Sequence, residues 1–206
     1  MSILQIPRRG MMGGGLYTPL RYVKSTGAQA INTGVKPTLD TRLWVQGFYL
    51  QGNGTYCPLM AASNPACSVF AYGSIGSMTG YCSFGNQTDK TIPLYLPAGA
   101  EPPIMTAAKN GATMSVEDVG AWSVSFTATA MSGNANTEIY LFARGNSGTY
   151  ERKCKGQIYR AKIYNGDDLI RDFVPAKRNA DNEIGMYDMV NDVFYTNLTN
   201  TPLIGG

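Results

Sequence analysis

Residues 104–127, IMTAAKNGATMSVEDVGAWSVSFT, decide the fold class. The pair Asn110-Gly111 separates two short apolar runs, and it is favoured in two-residue type I′ hairpin turns because both residues accept positive φ. From residue 121 to 127 apolar side chains then alternate with Ser and Thr, which is the period of a strand with one buried and one solvated face. The stretch therefore predicts a hairpin followed by a third strand, whose apolar row begins at Trp122.

The rest of the chain shows the same pattern. Short alternating or apolar runs are separated by Gly, Asn, Pro and Asp, as at residues 165–168 and 191–192, and this punctuation is typical of strands and turns. No stretch repeats at a fixed period, which argues against propellers and solenoids. We therefore predict an all-β fold, a two-sheet antiparallel jelly-roll sandwich over residues 16–206.

Length and composition agree with one folded domain. The chain has 206 residues, of which 44% are hydrophobic and 15% charged, so a core is easily supplied. The 17 basic and 14 acidic residues are dispersed, whereas a nucleic-acid footprint requires clustered Lys and Arg. No apolar run reaches the roughly 20 residues of a membrane helix. We expect neither nucleic acid nor membrane as a partner.

Residues 1–15, MSILQIPRRGMMGGG, differ in composition and are interpreted as an extended N-terminal arm. Its apolar residues would gain from burial against another chain, although a disordered leader remains the alternative. Pro7 interrupts the apolar tip too early for a signal peptide, so we expect cytoplasmic synthesis with reduced thiols. The residues expected to dock are Ile3, Leu4, Ile6, Arg8, Arg9, Met11 and Met12.

Catalytic groups are scarce. The sequence has no His, which removes the commonest general base and metal ligand, and its four Cys show no C-x-x-C spacing. The E-x-D-x-E spacing that would place carboxylates on one strand face does not occur, and the clustered acids fall at predicted turns. The pair Arg171-Asp172 is expected to be structural, with its members facing opposite sides of a strand. We expect no enzyme activity, no metal and no cofactor.

Sugar binding needs aromatic faces beside hydroxyl and amide groups. The candidates by residue type are Trp44, Tyr49, Tyr56, Tyr72, Tyr81 and Trp122. Core packing is the alternative for each of them, most strongly for Trp122. Tyr72 and Tyr81 flank residues 73–80, a Gly- and Ser-rich stretch interpreted as a mobile loop, and with Trp44 and Tyr56 they form the predicted ligand-binding set.

Three segments resemble a known family. They are residues 22–37, YVKSTGAQAINTGVKP, residues 139–144, IYLFAR, and a longer stretch from Gly156 to Asn197. They resemble the concanavalin/laminin-G-like jelly-roll domains that are common in bacteriophages and prophages of gut bacteria. The resemblance spans about residues 21–206 and is loose over 53–100, and the arm lies outside it. It implies a non-enzymatic virion or surface component, often with a glycan-binding role.

Two functional hypotheses follow. The first is a bacteriophage virion structural protein, either a capsid decoration or head fibre or a tail component, anchored to other virion proteins by its arm. Such a protein would be located in the virion, as a homo-oligomer or symmetric array that covers exposed strand edges. The second is a glycan-binding adhesin or receptor-binding module that recognises host surface or mucus polysaccharide. A glycan hydrolase is disfavoured by the missing carboxylate pair.

Overall fold

A computed structural model describes residues 15–52, 58–63, 66–74, 77–94, 100–131 and 137–206. In these ranges the chain forms nineteen β-strands and no α-helix. Consequently, no helix in the described ranges has the length and apolar character needed to span a membrane. The predicted N-terminal arm lies outside the described residues, apart from Gly15.

The strands follow one another closely along the chain. They are β1 (Tyr17–Pro19), β2 (Val23–Thr26), β3 (Ile31–Asn32), β4 (Thr41–Gly52), β5 (Met60–Ser63), β6 (Ala66–Ser74), β7 (Ser77–Phe84), β8 (Gln87–Leu94), β9 (Ile104–Ala108), β10 (Gly111–Val116), β11 (Gly120–Ser125), β12 (Tyr140–Leu141), β13 (Arg144–Asn146), β14 (Thr149–Glu151), β15 (Cys154–Asn165), β16 (Asp168–Arg178), β17 (Ile184–Asp188), β18 (Val193–Tyr195) and β19 (Ile204–Gly205).

The strands form two sheets. The larger one has eleven strands in the order β11-β10-β9-β4-β15-β16-β17-β18, with β2 and β19 joined beside β15 and β1 joined beside β16. The smaller one has eight strands in the order β14-β13-β5-β6-β7-β8, with β12 and β3 joined beside β5. The pairings are antiparallel except for β13 with β5. The predicted all-β, two-sheet antiparallel sandwich is confirmed.

The main core lies between the two sheets. Leu43 and Val45 of β4 belong to the same buried cluster as Phe84 and Ile92 of the smaller sheet. The predicted apolar row of β11 packs against this cluster, and the intervening Ser and Thr side chains are exposed. Alternation in the sequence therefore identifies the side of β11 that faces the core. By the same alternation, the residues of β4 and β15 that lie between core residues point outward.

The hairpin at the centre of residues 104–127 is confirmed, but its turn differs from the prediction. Gly111 pairs with Ala108, so the two turn residues are Lys109 and Asn110. Neither has a positive φ, whereas Gly111 has φ +141° and lies against the Val124 carbonyl, where a Cβ would be 2.5 Å from the oxygen. The type I′ turn is therefore wrong, and the glycine is required by the close approach of β11.

The mobile loop predicted for residues 73–80 is also wrong. Ser74 pairs with Ser77, and the strands β6 and β7 continue from there as one long hairpin. A Cβ on Gly80 would lie 2.4 Å from Met114 Cε and 3.3 Å from Ile92 Cβ. This glycine marks a close approach between the sheets within a strand.

Arg171 and Asp172 face opposite sides of β16, as predicted. Asp172 accepts two hydrogen bonds from Arg160, at 2.8 and 2.6 Å. Arg171 instead approaches Asp188, with 3.5 Å between Nε and Oδ2. Asp188 is completely buried and also accepts hydrogen bonds from the backbone N–H groups of Asp172 and Val190. The pair is structural.

Candidate functional site

The candidate site begins with the outward side of β4. Leu43 and Val45 point into the core, so Trp44 between them is directed away from it, on the outer side of the larger sheet. The Trp44 side chain is half-buried. A large ring on the outer side of a sheet is available for binding, and core packing, which the sequence left open for Trp44, does not explain it.

Strand pairing extends this position into a row across six strands. Trp44 pairs with Thr106 of β9 and with Lys162 of β15. The row continues from Thr106 through β10 and β11, and from Lys162 to β16. We call Ser123, Thr113, Thr106, Trp44, Lys162 and Asp172 the Trp44 row. At roughly 4.8 Å between neighbouring strands, the row is about 24 Å long.

Side chains along the row contact one another. Lys162 Nζ lies over the Trp44 ring at 5.0 Å from its centroid, which is a cation–π distance. On the other side of Trp44, the hydroxyls of Thr106 and Thr113 share a hydrogen bond of 2.6 Å. Thr113 is exposed and Thr106 is half-buried. The ring is therefore flanked by an amine on one strand and by hydroxyls on the other.

The next positions along β4 and β15 add further polar groups. Arg42 pairs with Tyr164, and its guanidinium carbon lies 4.1 Å from the centroid of the Tyr164 ring. Gln46 pairs with Arg160 on the opposite side of Trp44. All four side chains are half-buried. We call the Trp44 row together with Arg42, Gln46, Arg160 and Tyr164 the Trp44 face.

The electrostatics of this face are dominated by cations. The hydrogen bonds with Asp172 raise the pKa of Arg160, because they favour the charged form of its guanidinium. Burial lowers the pKa of Lys162, and repulsion from Arg160 acts in the same direction. Three cations, Arg42, Arg160 and Lys162, thus accompany the single carboxylate of Asp172, whose charge is already neutralised by Arg160.

A β-bulge borders the face. Ile158 pairs with Gly47 and Arg160 with Gln46, so Tyr159 is an extra residue in β15. Its ring lies 5.7 Å from that of Tyr22 and 6.1 Å from that of Phe48, and burial raises its pKa. The packed aromatic rings at the bulge therefore border one end of the face. Beyond the bulge, every second side chain of β15 points outward, starting with Arg160.

The aromatic residues predicted to bind ligand do not form one site. Tyr81 of β7 is half-buried between Gly80 and Cys82, which face the core, so its ring points outward from the smaller sheet, on the opposite side of the sandwich from Trp44. Tyr72 belongs to β6 and pairs with Thr79, but its side chain is outside the described part of the structure. Tyr56 lies outside the described residues altogether. Trp122 packs against the core, as expected.

Sequence reasoning identified Trp44 and missed its neighbours. Their alternation is visible in Arg42-x-Trp44-x-Gln46 and in Arg160-x-Lys162-x-Tyr164. What the sequence does not contain is the pairing of β4 with β15, which are more than a hundred positions apart. Only this pairing places the lysine beside the tryptophan.

The Trp44 face presents groups that could bind a ligand. It combines an aromatic ring with hydroxyl, amide, ammonium and guanidinium groups. In the described part of the chain, no three His, Cys, Asp or Glu side chains are grouped in a way that could hold a metal ion. Such an arrangement suits a ligand that has apolar C–H faces edged by polar groups.

Comparison with known proteins supports the fold. No family model and no curated protein matches this sequence. A similar solved structure is that of a candidate carbohydrate-binding protein from Bacteroides ovatus ATCC 8483, with a TM-score of 0.54 and 10% sequence identity. The match covers 92% of this chain and 60% of the other, so this chain spans less than two thirds of the length of its neighbour. At this identity the likeness concerns the fold alone.

Proposed function

We propose that this chain is a glycan-binding β-sandwich and that the Trp44 face is its binding site. The observation that carries the proposal is the outward, half-buried Trp44 ring between an amine and a pair of hydroxyls, at the centre of a row about 24 Å long. The fold likeness to a candidate carbohydrate-binding protein supports the same reading.

The physical basis is the match between the face and a sugar ring. The C–H groups of a sugar pack on an indole and remove apolar area from water, while its hydroxyls need donors and acceptors at the rim. Thr106, Thr113 and Gln46 supply both kinds of group. Because these side chains project from paired strands, they are held in place before a ligand arrives, which reduces the entropy lost on binding.

Affinity electrophoresis through gels containing individual polysaccharides tests the proposal. We expect the wild-type chain to be retarded by at least one polysaccharide and Trp44→Ala to lose most of that retardation. Tyr81→Ala is the matched control, because it removes an outward aromatic ring from the opposite side of the sandwich. Absence of retardation in every gel, or a loss confined to Tyr81→Ala, would overturn the proposal.

We further propose that the domain is carried by a bacteriophage virion and joined to other virion proteins through its N-terminal arm, residues 1–15. Support comes from the family resemblance, from the apolar composition of the arm, and from the way the chain joins the domain. Asn179 donates a side-chain hydrogen bond of 2.7 Å to the Gly15 carbonyl and a backbone one of 2.9 Å to the Leu16 carbonyl. These hydrogen bonds therefore fix the position on the sandwich at which the arm joins it.

Truncation distinguishes this virion role from glycan binding. A chain lacking residues 1–14 keeps the Asn179 contacts, so we expect it to fold and to bind glycan as before while failing to join virus particles. Immunoblots of purified particles would measure its incorporation. Incorporation at the wild-type level would refute anchoring by the arm and leave the glycan proposal untouched.

A further inference from the structure

We infer that the ligand of the Trp44 face is an acidic polysaccharide, one whose sugars carry carboxylate or sulfate groups. This inference rests on the proposed glycan binding and specifies its ligand class. The charges of the face support it. Among the residues of this face the only carboxylate is that of Asp172, and it accepts hydrogen bonds from Nε and Nη2 of Arg160. The face therefore offers two cations to a ligand.

The geometry of Arg42 suits an oxyanion. Its guanidinium carbon lies 4.1 Å from the centroid of the Tyr164 ring, so the ring covers one side of the group. Stacking on a ring leaves the N–H groups at the edge of a guanidinium available, and their fork matches the two oxygens of a carboxylate or sulfate. A neutral sugar hydroxyl would use only part of this donor set.

Lys162 adds a second positive group beside the ring on which the sugar would pack. Its ammonium is half-buried and 5.0 Å from the Trp44 centroid. A charge that is partly removed from water interacts more strongly with an incoming anion than a fully hydrated one does. An acidic substituent on a sugar stacked at Trp44 would therefore reach Lys162.

The two cations are close enough to act on one ligand. Arg42 pairs with Tyr164, and Lys162 pairs with Trp44, so Arg42 and Lys162 are diagonal neighbours across β4 and β15. The Cα atoms of diagonal neighbours on adjacent strands lie about 7–8 Å apart. Adjacent acidic sugars, or two oxygens of one sugar, could engage both groups while the ring of Trp44 supports the sugar face.

The experiment compares polysaccharides that differ only in charge. Isothermal titration calorimetry would compare the affinity for polygalacturonate with that for its methyl ester, and the affinity for dextran sulfate with that for dextran. Each titration would be made at low and at physiological salt concentration. We expect at least tenfold tighter binding of one or both acidic polymers, with an affinity that falls as salt rises. The two pairs also tell carboxylate from sulfate as the preferred group.

Variants assign the effect to the face. Lys162→Met should lower the affinity for the acidic polymer about tenfold. Lys153→Met is the matched control, because Lys153 Nζ lies 5.7 Å from the ring of Tyr150, a similar cation–aromatic pair whose ring belongs to the smaller sheet. Equal binding of charged and neutral polymers, still abolished by Trp44→Ala, would overturn this inference and keep the glycan site. A loss of affinity in Lys153→Met that matches that in Lys162→Met would overturn the inference too. No binding to any polysaccharide would overturn the glycan site itself.

Discussion

The side-chain amide of Gln29 donates a hydrogen bond of 2.7 Å to the carbonyl oxygen of Pro202, which lies 173 positions further along the chain. Gln29 is completely buried, and its oxygen accepts hydrogen bonds from the backbone N–H groups of Thr26 and Ala28. One side chain thus closes the turn after β2 and fixes the last segment of the chain against it.

We expect Gln29→Leu to destabilise the fold by about 3 kcal/mol, because the mutation leaves the partly buried N–H groups of Thr26 and Ala28 and the Pro202 carbonyl without this partner. Urea denaturation followed by tryptophan fluorescence would measure the free energy of unfolding. Gln87→Leu is the control, since Gln87 Nε2 donates a hydrogen bond of 2.9 Å to the Thr127 carbonyl at an exposed site. Equal losses in the two variants would contradict the role given to burial.

Asp188→Ala should cost about 3–5 kcal/mol. The mutation removes the carboxylate that Arg171 approaches, and it leaves unpaired the buried backbone N–H of Asp172 and the partly buried one of Val190. Thermal denaturation provides the measurement. Asp181→Ala removes a carboxylate that is paired with Arg178 on the surface, and it should remain close to wild type. If the two variants have the same melting temperature, the Asp188 carboxylate does not stabilise the fold as proposed.

Gly47→Ala should disturb the junction of β4 and β15. A Cβ at this position would lie 2.4 Å from the Gln157 carbonyl oxygen and 3.1 Å from Leu59 Cδ1, so the two strands must separate beside the bulge. We expect a loss of about 2 kcal/mol or more, together with weaker glycan binding. Gly166→Ala meets no neighbouring atom but has φ +60°, so it should cost only about 1 kcal/mol. A Gly47→Ala variant as stable as wild type would refute the close approach.

Tyr187 should have a pKa well above the ordinary tyrosine value. Burial raises its pKa, and the hydrogen bond to Asp192 raises it further, from 10.0 to about 12. Because the folded pKa is above the unfolded one, the associated stability is complete below pH 10.0 and is lost as pH rises toward about 12. Ultraviolet phenolate titration of wild type and Asp192→Asn checks this. The variant should ionise at lower pH, and an unchanged curve would be evidence against the Asp192 contribution.

Binding of an acidic polysaccharide should weaken at alkaline pH. Lys162 has a pKa below the ordinary 10.5, since burial disfavours its charged form, so its charge is lost earlier than that of an exposed lysine. Titrations of polygalacturonate or dextran sulfate, whichever binds, at increasing pH should show the affinity decline. Lys162→Arg should flatten this decline because arginine stays protonated. A wild-type profile that is already flat would exclude Lys162 from the ligand contact.

The strand pattern of this chain could be predicted where hydrophobic residues alternate. The hairpin predicted within residues 104–127 is β9 and β10, and the third strand predicted after it is β11. The strand β8 shows no such alternation because it is mostly polar, and it contains Pro93, which lacks a backbone N–H. Such a strand is stable here since, within the described ranges, it lies at the edge of the smaller sheet and pairs with β7 alone.

The candidate site was harder to predict than the fold. Alternation places Trp44 on one face of its strand, but the choice of Lys162 and Thr106 as neighbours depends on which strands pair and in which register. Tyr81 was predicted to bind ligand because it borders residues 73–80, which the sequence indicated as a loop. Tyr81 instead lies within β7, and its ring points outward on the side of the sandwich opposite Trp44. The absence of catalysis, inferred from the missing His and carboxylate pair, stays a prediction.

The Trp44 row is different at its two ends. Hydroxyl groups occupy the side of β9 to β11, and charged groups occupy the side of β15 and β16. A linear polymer also has two unlike ends, so if the proposed glycan lies along the row, one direction of the polymer is favoured over the reverse one. Copies of the domain held in a common orientation would therefore align their polymers with the same polarity.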